Sequence, residues 1–180
     1  MRPQPTGAPG GPGRPLLLID VDGVLNPFSR PTPDFRRYHC TVGDQVYTVQ
    51  LNARHGTRLL ELALVTGAEL VWATTWEEHA NEWIGPRLGL PELPVIPMGP
   101  DQGGLYGEMF KTPHVAAYVG RRPFVWFDDQ VWLEDEEYLR GTQGLDDFLL
   151  IHVDPRKGLT SQHLAQAHEW LTLSGFSQGA

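Results

Sequence analysis

The sequence predicts an α/β fold, a three-layer sandwich on a mainly parallel sheet, and three observations predict it. Short apolar runs one strand long recur at Leu16–Asp20, Glu69–Ala73, Pro123–Phe127 and Phe148–Val153. Segments with helical spacing separate them, so strands and helices alternate along the chain. Three of the runs deliver a polar residue at the carboxyl end, Asp20, Thr74 and Asp128, the edge where open sheets of this kind bind ligands.

Each element follows from local pattern. Residues 1–15, MRPQPTGAPGGPGRP, are dominated by Gly and Pro and are expected to form a disordered tail ahead of a single domain over 16–175. Leu16 to Asp20 is unbroken apolar sequence ending in a carboxylate, the mark of a strand buried on both faces. Tyr38, Cys40 and Val42 alternate with polar residues, Gly43-Asp44 offers a tight turn, and Tyr47, Val49 and Leu51 alternate again. That is a β-hairpin over about 36–51.

Leu59, Leu60, Leu62 and Ala63 stand at helical spacing within 52–65, and Thr66-Gly67 provides a stop. Glu77–Ile84 reads as a short helix after the second strand. Pro86–Pro100 encloses a strand at Leu93–Ile96, followed by a glycine-rich loop over 99–107. Thr112-Pro113 is expected to start a helix with Thr112 as N-cap and Gly120 as its end. Trp132–Arg140 is the next helix, its acidic run Glu134–Glu137 a solvated face. The last helix runs from Thr160 or Ser161 to Leu173.

Composition narrows the function classes. A formal charge of −8 argues against long-range attraction to polyanions or anionic membranes, while leaving room for a local basic groove. Cys40 is the single cysteine, so there is no intrachain disulfide framework and no thiolate zinc cluster, and a reducing, cytoplasmic location is expected. No apolar run approaches the ~20 residues of a membrane span, nor does the opening segment carry a signal-peptide block.

The chemistry concentrates in Asp20-Val21-Asp22-Gly23. Two carboxylates about 4 Å apart repel by roughly 4 kcal/mol at an effective dielectric near 20, so the pair needs a cation or a shared proton. Hard oxygen ligands suit Mg²⁺. The simpler alternative is a solvated Asx turn with Gly23 at positive φ. Later residues supply further parts for phosphoryl transfer: the hydroxyl of Thr74, or of Thr75 if the register shifts by one, the charge of Lys111, and the carboxylates of Asp128 and Asp129.

Asp20 suits the nucleophile, with Asp22 as proton donor to the leaving oxygen and then base toward water. Asp128 ranks first as the additional metal ligand, with Asp129 acting through water or orienting its neighbour, because adjacent side chains on an extended segment point apart. The seven histidines are scattered and read as structural or surface residues. Trp72, Trp76, Trp126 and Trp132 read as core before base-stacking platforms. Arg36-Arg37 and Arg121-Arg122 are either phosphate contacts or solvated surface.

Asp20-Val-Asp22-Gly-Val, Thr74 after an apolar strand, Lys111, and Trp126-Phe-Asp128-Asp129 together resemble the four motifs of the haloacid dehalogenase-like (HAD) hydrolase superfamily. The resemblance implies a Rossmann-like sheet and an aspartyl-phosphate mechanism. It also implies Mg²⁺ held by the first aspartate, the backbone carbonyl of the second and an acid of the fourth motif, with Gly23, Thr74, Thr75 and Lys111 around the phosphate. The intervals between motifs leave room for the hairpin as a flap but not for a large cap. More narrowly, Val21-Asp-Gly-Val-Leu-Asn-Pro27, Trp72-Ala-Thr-Thr-Trp-Glu77 and Lys111-Thr-Pro are similar to the HAD domain of Swiss Army knife RNA repair proteins, which implies an RNA or DNA end as substrate. The alternative is an inactive phosphate- or metal-binding recruitment module. Dehalogenase or phosphomutase chemistry shares the nucleophile, but Asp22 tilts the reading toward phosphate.

Overall fold

The structure is a computed structural model that describes residues 13–99 and 107–175. Most of the opening Gly/Pro stretch and most of the glycine-rich loop lie outside the described residues. Four parallel strands, β1 (Leu16–Ile19), β4 (Glu69–Trp72), β5 (Phe124–Asp128) and β6 (Phe148–His152), form one sheet in the order β4-β1-β5-β6. The hairpin, β2 (Arg36–Val42) and β3 (Gln45–Leu51), stands as a separate antiparallel pair. Leu16 lies beside both Glu69 and Phe124, and Ile19 beside Trp72 and Phe127, so the neighbouring strands end level with β1.

β1 is buried along its whole length because both faces are covered. Leu17 and Ile19 enter a core with Leu59 and Leu62 of α1 (Ala53–Thr66) and with Leu164, Ala167 and Leu171 of α5 (Ser161–Leu173). Leu16 and Leu18 enter the opposite core with Val115, Ala116 and Val119 of α3 (Lys111–Val119) and Leu139 of α4 (Leu133–Gly141). Helix, sheet and helix are the three expected layers. Chain order carries β1 to β4 on one side and then to β5 on the other, so the winding reverses beside β1. The crevice beyond the ends of β1 and β5 is therefore the topological switch point.

Three local expectations are corrected. The segment expected as a helix at 77–84 is helical from Glu78, but as a π-helical turn over Ala80–Ile84, and it does not stop there: it continues as α2 (Gly85–Leu88) past Pro86. Proline cannot donate to the preceding turn, and its ring would crowd a regular α-helical carbonyl; the widened turn accommodates it. Leu93–Ile96 forms a single bridge, Val95 to Trp72, rather than a strand, as befits a segment whose Pro94 has no N–H for a ladder. Helix α3 starts at Lys111 with Phe110 as its cap, and Thr112 does not cap it: the threonine hydroxyl is engaged by Asp135 at 2.6 Å.

Asn52 Oδ1 accepts from Arg54 N–H and starts α1. A Cβ at Gly56 would stand 1.8 Å from the Leu88 carbonyl oxygen, so α1 and α2 meet backbone to backbone and only glycine fits between them. Beside it His55 is buried with its ring edge-on to Phe35, 5.6 Å between centroids. Burial first, and the neighbouring Arg58 charge second, push its pKa down to about 4, against the opposing hydrogen bond to the Leu159 backbone.

A histidine depressed from 6.5 to about 4 is neutral in the fold and protonates more readily when unfolded. Its contribution to stability is full above pH 6.5 and is lost as pH falls toward 4. We expect wild type to lose roughly 3 kcal/mol relative to His55→Gln across that window. Parallel urea melts of the two proteins at each pH measure it, and parallel curves would show that His55 is not held neutral.

Candidate active site

Asp20 follows β1 directly. Its N–H donates to the Phe127 carbonyl at 3.1 Å, and its Oδ1 accepts from Val21 N–H at 2.8 Å, which fixes the carboxylate at the switch point. The chain then turns sharply: the Val21 carbonyl accepts from the amides of Val24, Leu25 and Asn26 at 3.2, 2.9 and 2.8 Å. Gly23 sits in this turn at φ +79°, and a Cβ there would lie 2.4 Å from Asp129 Cγ. Glycine is thus required twice, for the backbone angle and for the carboxylate packed against it.

Lys111 Nζ lies 2.8 Å from Asp20 Oδ2 and 2.8 Å from Asp128 Oδ2, with all three side chains buried. Asp128, the last residue of β5, gives its other oxygen to Gln130 N–H at 2.9 Å. One carboxylate oxygen each from Asp20, Asp128 and Asp129 lie within 4.8 Å of one another. The expectation that the adjacent aspartates point apart does not hold, because β5 ends at Asp128 and the chain bends at Asp129, turning its side chain back against Gly23.

The electrostatics follow from burial. Desolvation raises the Asp20 pKa to about 7 against the pull of Lys111, with the Asp128 charge adding to the rise. Desolvation likewise lifts Asp128 and Asp129. Burial alone would lower the Lys111 pKa, but the two carboxylates outweigh it and hold the ammonium above its usual range. Three acids against one base leave an excess of negative charge, and hard oxygen donors in such a cluster fit a divalent cation of the Mg²⁺ type.

The lysine is placed by a residue that the sequence pattern assigned to solvent. Asp135, within the acidic run 134–137, is buried, and accepts from Met109 N–H at 2.7 Å, from the Thr112 hydroxyl at 2.6 Å and from Trp132 N–H at 2.9 Å. It clamps the starts of α3 and α4 together and so fixes the turn that carries Lys111. Its position three residues after Trp132 is the spacing at which an acid reaches back to a helix start, a signal available in the sequence.

Asp22 stands apart from the buried cluster. Asn26 Nδ2 donates to its Oδ1 at 2.7 Å, and the Trp76 indole N–H donates to its Oδ2 at 2.8 Å. Both partners lie in the motif segments, and Trp76, expected in the core, instead holds Asp22 through its indole N–H. Asp22 opens instead into a cleft of about 210 Å³, lined also by Asn26, Tyr47, Thr48, Thr75 and Trp76. Thr74 is fully buried, its Oγ accepting from Trp76 N–H at 3.3 Å, which leaves the hydroxyl proton free to donate; Thr75 is exposed in the cleft. Glu77 holds a left-handed φ of +47° and accepts from Met98 and Gly99 N–H at 2.9 and 3.1 Å, tying the loop beyond β4 to this turn.

Of the other candidates, Trp72 and Trp126 are core, while Trp132 is exposed and rests on His152 with 4.2 Å between ring centroids. Arg121 and Arg122 precede β5 and so lie at the amino edge of the sheet, where Arg122 pairs with Glu69 at 3.4 Å; they are not at the site. Arg36 and Arg37 are exposed at the hairpin base. Among the described residues no helix is long and apolar enough to cross a membrane.

The motif order, the switch-point carboxylates and the lysine between them agree with a comparison against protein families, in which residues 16–164 match the HAD domain in Swiss Army Knife RNA repair proteins. The chain belongs to this family. A curated relative, the UDP-N-acetylmuramoyl-L-alanyl-D-glutamate--2,6-diaminopimelate ligase of Vibrio cholerae serotype O1, is 29% identical over 72 residues, 40% of this chain. The match spans only 14% of that ligase. No solved structure matches the chain. Membership in the HAD family suggests a phosphatase-type hydrolase, and among the described residues the buried Asp20, Asp128 and Asp129 form a cluster able to hold a metal.

Replacing Lys111 by Met leaves Asp20 and Asp128 facing each other without their shared cation. Breaking a buried ion pair in this way costs about 3–5 kcal/mol. In EDTA we expect the Tm of Lys111→Met to fall well below that of wild type, and Mg²⁺ to raise it by more than it raises wild type. Equal melting of the two proteins in EDTA would show that the lysine does not neutralise the cluster.

Proposed function

We propose that this HAD domain is a Mg²⁺-dependent phosphohydrolase that removes terminal phosphate from nucleic-acid ends through an aspartyl-phosphate at Asp20. The observation that carries the reading is the division of carboxylates: Asp20 lies buried against Lys111 at the switch point, while Asp22, two residues on, faces an open cleft. Two carboxylates so divided suit the separate roles of nucleophile and proton donor.

Asp20 attacks phosphorus, the ester P–O bond breaks, and Asp22 gives its proton to the departing oxygen. Water then attacks the acyl-phosphate, Asp22 takes a proton from it, and the bond from phosphorus to Asp20 breaks, restoring the carboxylate and releasing phosphate. Lys111 sets a fixed positive charge beside the nucleophile, where negative charge gathers on the phosphoryl oxygens. Thr74 donates its remaining hydroxyl proton to one of those oxygens, with Thr75 as the alternative. The Gly23 turn keeps the backbone close enough to approach the phosphate.

Asp20 and Asp129, with Asp128 and the Asp22 backbone carbonyl, are the groups that would hold Mg²⁺. Asp129 is the less committed acid, since both Asp128 oxygens are engaged by Lys111 and Gln130 N–H. Mg²⁺ held there would neutralise the incoming phosphate and relieve carboxylate repulsion. A nucleic-acid end is favoured by the RNA-repair family, by the absence of a large cap over the site among the described residues, and by the exposed arginines at the hairpin base. A lone buried cysteine, Cys40, fits a cytoplasmic location.

Phosphate release from an aryl phosphate and from 3′- and 5′-phosphorylated oligonucleotides tests this reading. Mg²⁺-dependent release is expected, lost by at least 10³-fold in Asp20→Asn and by about 10²- to 10⁴-fold in Asp22→Asn. Chelation should abolish it. Retained ligand binding without turnover in wild type would point to the recruitment-module alternative.

A further inference from the structure

We infer that the cleft between the hairpin and the β4–α2 turn is a leaving-group subsite that receives the base of the terminal nucleotide against the exposed side of Tyr47, beside the Asp22–Trp76 pair. The inference rests on the phosphohydrolase reading and adds what that reading lacks, the part of the substrate on the far side of the bond that breaks.

Its first ground is position. The cleft is lined by Asp22 but not by Asp20, Asp128 or Asp129. A group that protonates the leaving oxygen must face the leaving group, so whatever the phosphate is attached to occupies this side. The second ground is lining. Tyr47 and Trp76 meet edge to face, 5.6 Å between centroids at 64°. Val42 and Val49 complete an apolar wall, while Asn26, Thr48, Thr75 and His79 supply polar atoms. The two rings touch, so a flat ring carrying edge donors and acceptors would lie against the exposed side of Tyr47 with its edge toward those polar atoms.

The third ground is exposure. Tyr47 is 47% exposed, a large ring lining the cleft with nothing covering its free side among the described residues. The fourth is size. About 210 Å³ is below the ~300–1,000 Å³ that encloses a whole small-molecule ligand, so the cleft takes one ring system of something larger whose remainder lies outside.

Arg36 and Arg37 stand exposed at the base of the same hairpin and form no ion pair among the described residues, so on a chain of net charge −8 the hairpin offers cations to the backbone phosphates of a strand that continues along it.

The test compares kcat/KM on a short oligonucleotide whose phosphorylated terminal residue carries a base with kcat/KM on the same oligonucleotide whose terminal residue is abasic. Wild type is expected to prefer the base-bearing end by about tenfold or more, the scale of one base stacked on an aromatic ring. Tyr47→Ala should bring that ratio to within about twofold of unity, and Tyr47→Phe should retain it. In Asp20→Asn, anisotropy titration of the two oligonucleotides should show the same preference in Kd, which reads the subsite without turnover. Equal handling of both ends by wild type, or a Tyr47→Ala ratio equal to the wild-type one, overturns the subsite. If wild type then still releases phosphate from an aryl phosphate, the phosphohydrolase reading survives; if it releases none from any substrate, both are overturned.

Discussion

Burying Asp20 and Asp128 level with each other at the ends of adjacent parallel strands is the constraint from which the rest of the site follows. Register fixes it, because Ile19 pairs with Phe127 and places the next residue of each strand side by side. Carboxylates in such a place lose their hydration and repel, and the desolvation is large enough to raise the Asp20 pKa to about 7. The lysine at 2.8 Å from both is therefore a condition of the arrangement. A buried ammonium needs carboxylates as much as they need it.

Holding that ammonium in place draws in structure well away from the chemistry. Lys111 is the first residue of its helix, and helix starts are poorly fixed unless their free N–H groups are used. Asp135 supplies the anchoring, joining the starts of α3 and α4 through three hydrogen bonds from one buried carboxylate. On the opposite side Gly23 lets Asp129 close against the first turn, so a third carboxylate joins the cluster without widening it.

The layers, the parallel sheet, the hairpin and the carboxyl-edge position of Asp20, Thr74, Lys111 and Asp128 were legible because each depends on strong local signals, apolar runs and the residues that end them. The convergence of Asp128 and Asp129 was not, since the rule of alternating side chains holds only while the strand continues, and β5 stops between them. Asp135 was hidden by composition: a run of four acidic residues looks solvated, and only the packing of α3 against α4 singles out one of them. The extent of α2 was obscured by Pro86, which normally marks a helix boundary but here follows a π-helical turn. Asn26 and Trp76 lay inside recognisable motifs, yet their bonds to Asp22 depend on how two loops meet, and no sequence periodicity reports that.

Those two bonds link the acid to the hairpin. Asn26 holds Asp22 with its amide nitrogen and, with its amide oxygen, accepts from Gln50 of β3 at 2.8 Å. Trp76 holds the other Asp22 oxygen while its ring meets Tyr47 of the same strand. Both oxygens of the carboxylate are therefore oriented by side chains that also contact β3. Any displacement of the hairpin acts on Asp22 through both routes at once, whereas Asp20, fixed by β1, β5 and Lys111, has no such connection. The fold thus separates Asp20, set by sheet register, from Asp22, whose aim depends on the flap; in the mechanism proposed above these are the nucleophile and the proton-transfer group, and the cleft between Asp22 and Tyr47 is where a leaving group would contact both.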